Sequence, residues 1–538
     1  MARERTVINP ASVSSLLNVP SSLITAELEG LYGSAVLQDL YQIIELYGVY
    51  EKGASYTVDT QADYTPADLK YKITRALLDK EVRFLFSKSP DFYVEADYTS
   101  KSKEEKERIK NAVSVYQALV DKVLQKNQFP NALLKAGKDC FIGKRVALMY
   151  NINEDSGIQI SFLPSLEFVY DVDPNDINKI TKLVAFYGLN AAKAKQDQRI
   201  YKKKYWLENN VCMYEEAVYD GTGTLVEEIS PATPTKFEFI PAWVIVNDGL
   251  TGDMYGVSEI DLLQDYESWY SRLAAADMDA ERTGMNPIRY AIDANPASTK
   301  GLSISAGAFW DLSSDQNQAV DRAAQVGVLE SPMGYSSALD TTLNRIKQSA
   351  YEQCAVPNVS PEAMKGVVSS GKTLKAIYWD LIVRCDEKML AWRPALEFMA
   401  KCIIEGVRLY PGAAKFYIDD PLPDEDYTIL VDNQYSLPED EAEEKQVDLA
   451  EVASLTMSKK AYMKKWRNLT DDEVEEELKQ MALERQILED SYMQPNTFGS
   501  NPNQNPAQGT EPNPPQQGVA TQQTQIEQEA QQIQEGES

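Results

Sequence analysis

Apolar residues recur at helical spacing over residues 35–50, where Leu37, Leu40, Ile43, Ile44 and Tyr47 share one face. Thr65-Pro66-Ala67-Asp68 pairs a capping residue with proline at the first helical position. It predicts a second helix carrying Leu69, Ile73, Leu77, Val82 and Leu85. A third is predicted over 103–125, with a charged first turn and a stripe of Ile109, Val113, Tyr116, Val120 and Val123. From Lys144 the period falls to two. Residues 145–150 and 158–162 read as strands around a polar turn containing Gly157. Strand-like runs follow at 166–170, 180–187, 202–208, 211–215 and 225–229, with a hairpin turn at Gly221-Thr222-Gly223. Residues 140–247 are therefore expected to lay a β layer on the helical start.

The period then returns to helical. Ser258 caps a helix with Glu259 and Asp261 in its first turn, where the helix dipole favours anions. It should stop near 283, before Gly284 and Pro287. Turn signals at Asn295-Pro296, Gly301, Gly307 and Pro332-Met333-Gly334 make 286–335 a small β-rich insert. A helix over 336–354 follows, with Leu339, Leu343, Ile346 and Ala350 on one face. After a loop at 355–370 comes a helix over 371–409, kinked at Pro394. A short strand at 427–431 and an acidic turn at 438–444 lead into helix to about 490, broken at Leu455-Thr456-Met457-Ser458. Within it, Thr470-Asp471-Asp472-Glu473 reads as a capping box. Pro10 and Pro20 interrupt the first 30 residues. Residues 491–538 are rich in Gln, Asn, Pro and Gly and predict a disordered tail. The fold class expected is α+β, mainly helical.

Composition narrows the chemistry. The 538 residues suffice for several domains, and 43% hydrophobic residues can build a core. The longest apolar runs, such as 240–246, are too short to span a bilayer, and no N-terminal stretch reads as a secretory signal. Five scattered cysteines argue against a disulfide framework or zinc site and fit a reducing cytoplasm. There is no histidine, which removes the commonest general base and metal ligand. No cofactor, metal or catalytic residue is expected. The net charge of −29 should repel DNA on average. It fits either simple solubility or a surface past which DNA slides without sticking.

One motif points elsewhere. Residues 366–373, Gly-Val-Val-Ser-Ser-Gly-Lys-Thr, match GxxxxGK[ST], in which backbone N–H groups wrap phosphates, the lysine reaches the outer phosphates and the threonine binds magnesium. A P-loop needs a buried strand just before its first glycine. Here Pro357 and Pro361 precede it, and long helices follow. The nearest acidic strand end, Val244-Ile245-Val246-Asn247-Asp248, lies upstream. A P-loop ATPase such as a packaging motor is one competing reading, and another viral structural or scaffold protein is a second.

Several segments resemble the portal proteins of tailed bacteriophages, the siphophage type in particular. They are 84–90 closing an early helix, 142–144 with 158–171 as a strand pair, and 239–241 with Asn247 and 255–260 ahead of a helix. Ser370-Gly371 opening the long helix and Pro438-Glu439-Asp440-Glu441 before two helices complete the series. The resemblance spans roughly residues 30–490. It implies a portal fold. After an N-terminal extension (1–29) come a wing (30–257), stem helices (258–285 and 336–354) around a clip (286–335), and a tunnel loop (355–370). The long wing helix and strand (371–434), a crown (435–490) and the tail (491–538) follow.

The resemblance further implies a ring, usually of twelve subunits, at one capsid vertex of the virion, assembled in the host cytoplasm. Double-stranded DNA would pass through it without sequence specificity. Its partners would be the terminase large subunit, a head-completion or adaptor protein, and the capsid and scaffolding proteins. The tunnel loop would present Val356, Asn358, Val359, Met364, Lys365, Val367 and Val368 to the channel. Asp277, Asp279 and Glu281 on the first stem helix are candidates for its acidic lining, unless they pair with a neighbour's arginine. Phe309 and Trp310 in the clip are candidates for binding a partner, or else belong to a small β core.

Overall fold

In the computed structural model, the residues described run from 23 to 492, apart from 25, 28–31, 59–64, 100, 190–193, 286–287, 296, 298–299, 301–311, 315–323, 330–333, 360–374, 419–420, 436–440 and 468–470. The described residues are mixed helix and sheet, 51% and 24% respectively, which agrees with the α+β expectation at that level. It divides into one compact unit over 1–440 and a second over 441–538.

The first unit opens with α1 (Tyr32–Lys52) and α2 (Ile73–Phe86). Helix α2 starts seven residues later than the Thr65-Pro66 signal predicts. Residues 65–72 are not helical; the N–H groups of Ala67 and Tyr71 meet side-chain acceptors on a helix about 200 residues away, and that of Leu69 meets the Tyr56 hydroxyl. Strand β1 (Asp91–Glu95) follows, then α3 (Lys103–Lys126), where Ser102 and Glu105 form a reciprocal capping box. Helix α4 (Phe129–Gly143), which the patterning above does not single out, buries Leu133, Ala136, Cys140 and Phe141.

Eight strands come next: β2 (Arg145–Asn153), β3 (Gly157–Pro164), β4 (Phe168–Asp173), β5 (Asp176–Leu189), β6 (Arg199–Glu208), β7 (Val211–Asp220), β8 (Leu225–Pro234) and β9 (Ala242–Val246). The predicted strands all form, mostly longer than patterned. Strands β4 to β8 make a five-stranded meander, and β2 pairs with both β3 and β9. Every ladder among the described residues is antiparallel.

Helix α5 (Glu259–Met285) and helix α6 (Ser336–Gln353) bracket the antiparallel pair β10 (Ile288–Ile292) and β11 (Gln325–Leu329). Helix α7 (Trp379–Leu409) carries Pro394 within it and threads the core, burying Trp392, Leu396, Met399, Ile403 and Ile404. At Gly406 it lies so close to β2 that a Cβ would sit 2.1 Å from the Tyr150 hydroxyl. Strand β12 (Thr428–Asp432) closes the unit by pairing with β1. The second unit comprises α8 (Glu441–Ala453), α9 (Lys459–Arg467) and α10 (Asp471–Tyr492). The predicted break falls between α8 and α9, where Leu455 has φ +62°. Thr470 and residues 493–538 lie outside the described residues.

Candidate functional site

The helical pair α5–α6, expected above to be the stem, is fixed by three sets of contacts. The root of α5 is capped by Ser258, whose hydroxyl accepts from the Ile260 N–H at 3.1 Å and donates to the Ile142 carbonyl at 2.8 Å. One flank of α5 then serves as a row of acceptors. The Glu267 carboxylate takes the N–H groups of Ala54 and Thr74, each at 2.7 Å, and so caps α2 from outside it. Ser271 accepts from the Tyr71 N–H at 3.0 Å, and Asp279 from the Ala67 N–H at 3.0 Å. Arg282 donates to the Thr65 carbonyl and pairs with Asp279 at 3.1 Å. Positions 267, 271 and 279 are four and eight residues apart, hence on one face.

The two helices run antiparallel. At the far end, Tyr335, just before α6, donates to Asp277, and its phenol is raised by burial and by that carboxylate. At the root, Arg384 reaches the Gln353 carbonyl at the end of α6 at 3.4 Å and pairs with Glu259 in the first turn of α5. Leu339, Leu343 and Ile346 are half-buried, while most of the rest of α6 is exposed.

Of the candidate lining acids, Asp277 and Asp279 thus have partners within the chain, and Glu281 is exposed. Val356 is buried, with its N–H on the Tyr351 carbonyl at 3.0 Å. Asn358 is exposed and Val359 half-buried. Met364, Lys365, Val367, Val368, Phe309, Trp310 and the GxxxxGKT stretch lie outside the described residues. No described residue just before that stretch belongs to a strand: α6 ends and coil follows. Asn247, proposed above as an acidic strand end's neighbour, instead donates to the Val257 carbonyl and to Glu259, and accepts from Lys388.

Sequence patterning misses the polar centre of the unit. Glu81 (α2), Glu259 (α5), and Arg384 and Lys388 (α7) meet in one buried cluster. Glu81 is 0% exposed and Glu259 1%. Arg384 donates through Nε to Glu81 at 2.8 Å and through Nη2 to Glu259, which also receives Lys388. The second carboxylate oxygen of Glu81 has no hydrogen-bond partner among the described residues. Burial, then the like charge of Glu259, pushes the Glu81 carboxyl up to about 7 against the pull of Arg384 and Lys388. Burial works the same way on Glu259, yet the two cations hold it below its ordinary range. The available signal was charge at core spacing. Glu81 sits on the stripe of Leu77, Leu78, Val82 and Leu85, and Lys388 on that of Leu381, Cys385 and Trp392.

Among the described residues no cluster suits a metal ion, and no helix is long and apolar enough to cross a membrane. A family model described as "Phage portal protein, SPP1 Gp6-like" matches residues 36–488. No curated protein matches. Among solved structures, the chain is similar to one from the "Neck of native GTA particle computed with C12 symmetry". That match has 9% identity and a TM-score of 0.34, and covers 73% of this chain and 88% of that one.

Proposed function

The chain belongs to the SPP1 Gp6-like phage portal protein family, a family of structural proteins rather than enzymes, and from that premise we propose how it works as a portal. Twelve copies form a ring at one capsid vertex, assembled in the host cytoplasm, and double-stranded DNA passes through its centre during packaging and ejection. Residues 30–257 with 371–434 are the wing, α5 and α6 the stem, 286–335 the clip, and 435–490 the crown. The clip and its neighbours take the terminase large subunit and a head-completion protein, with Phe309 and Trp310 as candidate contacts. Capsid and scaffolding proteins surround the wing.

The single observation that carries the reading is the family match across most of the chain, 36–488. The antiparallel α5–α6 pair around an insert supports its geometric side. A conduit must hold a duplex without binding it. Long-range repulsion from an acidic wall does this, and it is screened beyond ~10 Å at moderate salt. The chain's −29 charge supplies the sign. Glu281 is the first candidate for the wall, with Asp277 and Asp279 shared between holding the stem and shaping its field. Asn358, Val359, Met364, Lys365, Val367 and Val368 line the narrowest point, where Lys365 touches phosphates, while Val356 is buried within the chain and does not face the channel. The reading is tested by adding duplex DNA to the purified assembly. The expected result is no measurable retention at moderate salt and increased retention in Asp277→Asn/Asp279→Asn/Glu281→Gln. Tight binding by the unaltered protein contradicts it.

A further inference from the structure

The buried cluster does no work in the conduit reading above, yet it stands at the root of the α5–α6 pair, where α2 and α7 meet the first turn of α5 and the end of α6. Glu81 faces Glu259 at the first turn of α5, and Arg384, Cys385 and Lys388 on α7. Cys354, just past the end of α6, also faces it. Arg384 ties this set to the last turn of α6 through the Gln353 carbonyl. The neighbouring residue of α2, Lys80, reaches the Tyr351 hydroxyl of α6 at 3.3 Å and lies 4.9 Å from its ring centre. Cys354 and Val356 are 0% and 6% exposed and close the cluster to water on that side.

We propose that this cluster is a charge-sensitive lock on the end of α6, which releases Gln353 to Val356 from α2 and α7 when Glu81 is ionised. The physical reason is the unpartnered oxygen of Glu81. Ionised, it is a dry anionic oxygen facing a second carboxylate, and a dry charge without a full set of partners is costly. Lifting the end of α6 admits water to that oxygen and removes the cost. Protonated, Glu81 leaves Glu259 as the sole anion for Arg384 and Lys388, and the closed arrangement keeps its pairing.

The sign follows from linkage. The closed state holds the Glu81 proton up to about pH 7, whereas a solvated glutamate releases it near its ordinary value of 4.5. Closed therefore binds more protons than open between those values. Closure is strongest below the ordinary range, weakens as pH rises through the window, and levels off above about 7. The lock rests on this chain's own contacts and holds whether or not α6 lies beside a channel.

Hydrogen exchange on the full-length assembled protein tests it, with rates corrected for the intrinsic effect of pH. Opening of the amides of residues 350–356 should rise more than ~10-fold between pH 5 and pH 8, each unit of pKa difference allowing tenfold. Amides of residues 395–404 in α7 should not change. Glu81→Gln, which fixes the neutral state, should flatten the profile at its low-pH level. A flat profile in the unaltered protein overturns the proposal even if the variant fails to fold. An equal pH slope in Glu81→Gln overturns it as well.

Discussion

Arg384 is the side chain with most depending on it. It serves Glu81, Glu259 and the Gln353 carbonyl at once, and the two carboxylates together outweigh burial and hold its guanidinium above the ordinary range. Arg384→Met leaves two buried carboxylates to Lys388 alone. It is expected to lower stability by ~3–5 kcal/mol, the usual consequence of breaking a buried ion pair by removing one partner. Denaturant midpoints at unchanged slope would read this, and a loss under ~0.5 kcal/mol would show that water already reaches the cluster. Gly406 and Tyr150 make a second test. Gly406→Ala drives a methyl to 2.1 Å from a hydroxyl that has no hydrogen-bond partner among the described residues. The expected cost is ~1–3 kcal/mol. Adding Tyr150→Phe should recover part of it, since no described residue bonds to the hydroxyl removed. Failure to recover would place the strain elsewhere. Neither contact was legible from spacing. Charged residues on an apolar stripe signal burial but not their partners, and a glycine in a helix does not announce what passes over it.

At the scale of elements, local signals held where the partners are local. The Ser102–Glu105 box is such a case, and Ser102→Ala should cost ~1 kcal/mol, measurable as a shift in thermal midpoint. They failed at Thr65-Pro66, where a good capping sequence lies beside α5. There Asp279 and Ser271 on α5 accept the N–H groups of Ala67 and Tyr71, and Glu267 caps the helix that starts later, at the Thr74 N–H. Asp279→Ala should therefore raise exchange of the Ala67 amide while leaving α2 protected, because Glu267 still caps it. An unchanged Ala67 amide would mean the aspartate serves only the surface. In the second unit Lys465 meets Asp448 at 2.8 Å and Arg467 meets Glu477 at 2.8 Å, while Met463 and Val474 are its buried apolar residues among those described. Its helices should lose protection as salt is raised, since exposed ion pairs are screened. Insensitivity to salt would shift the weight to the apolar contacts.

For the whole molecule, the order of helices and strands and the lack of histidine narrow the field before any contact is known. The family match over residues 36–488 then states the class directly. Ring geometry is harder to read, because it depends on surfaces that meet only between copies, and a single chain's periodicity records its own core. Net charge contributes a sign and no shape. Subunit association in a hollow ring is thus the central physical claim, and imaging the purified full-length protein under negative stain measures it most directly. The account predicts closed rings with a central opening as wide as a DNA duplex. Particles that stay single subunits at every concentration would contradict it.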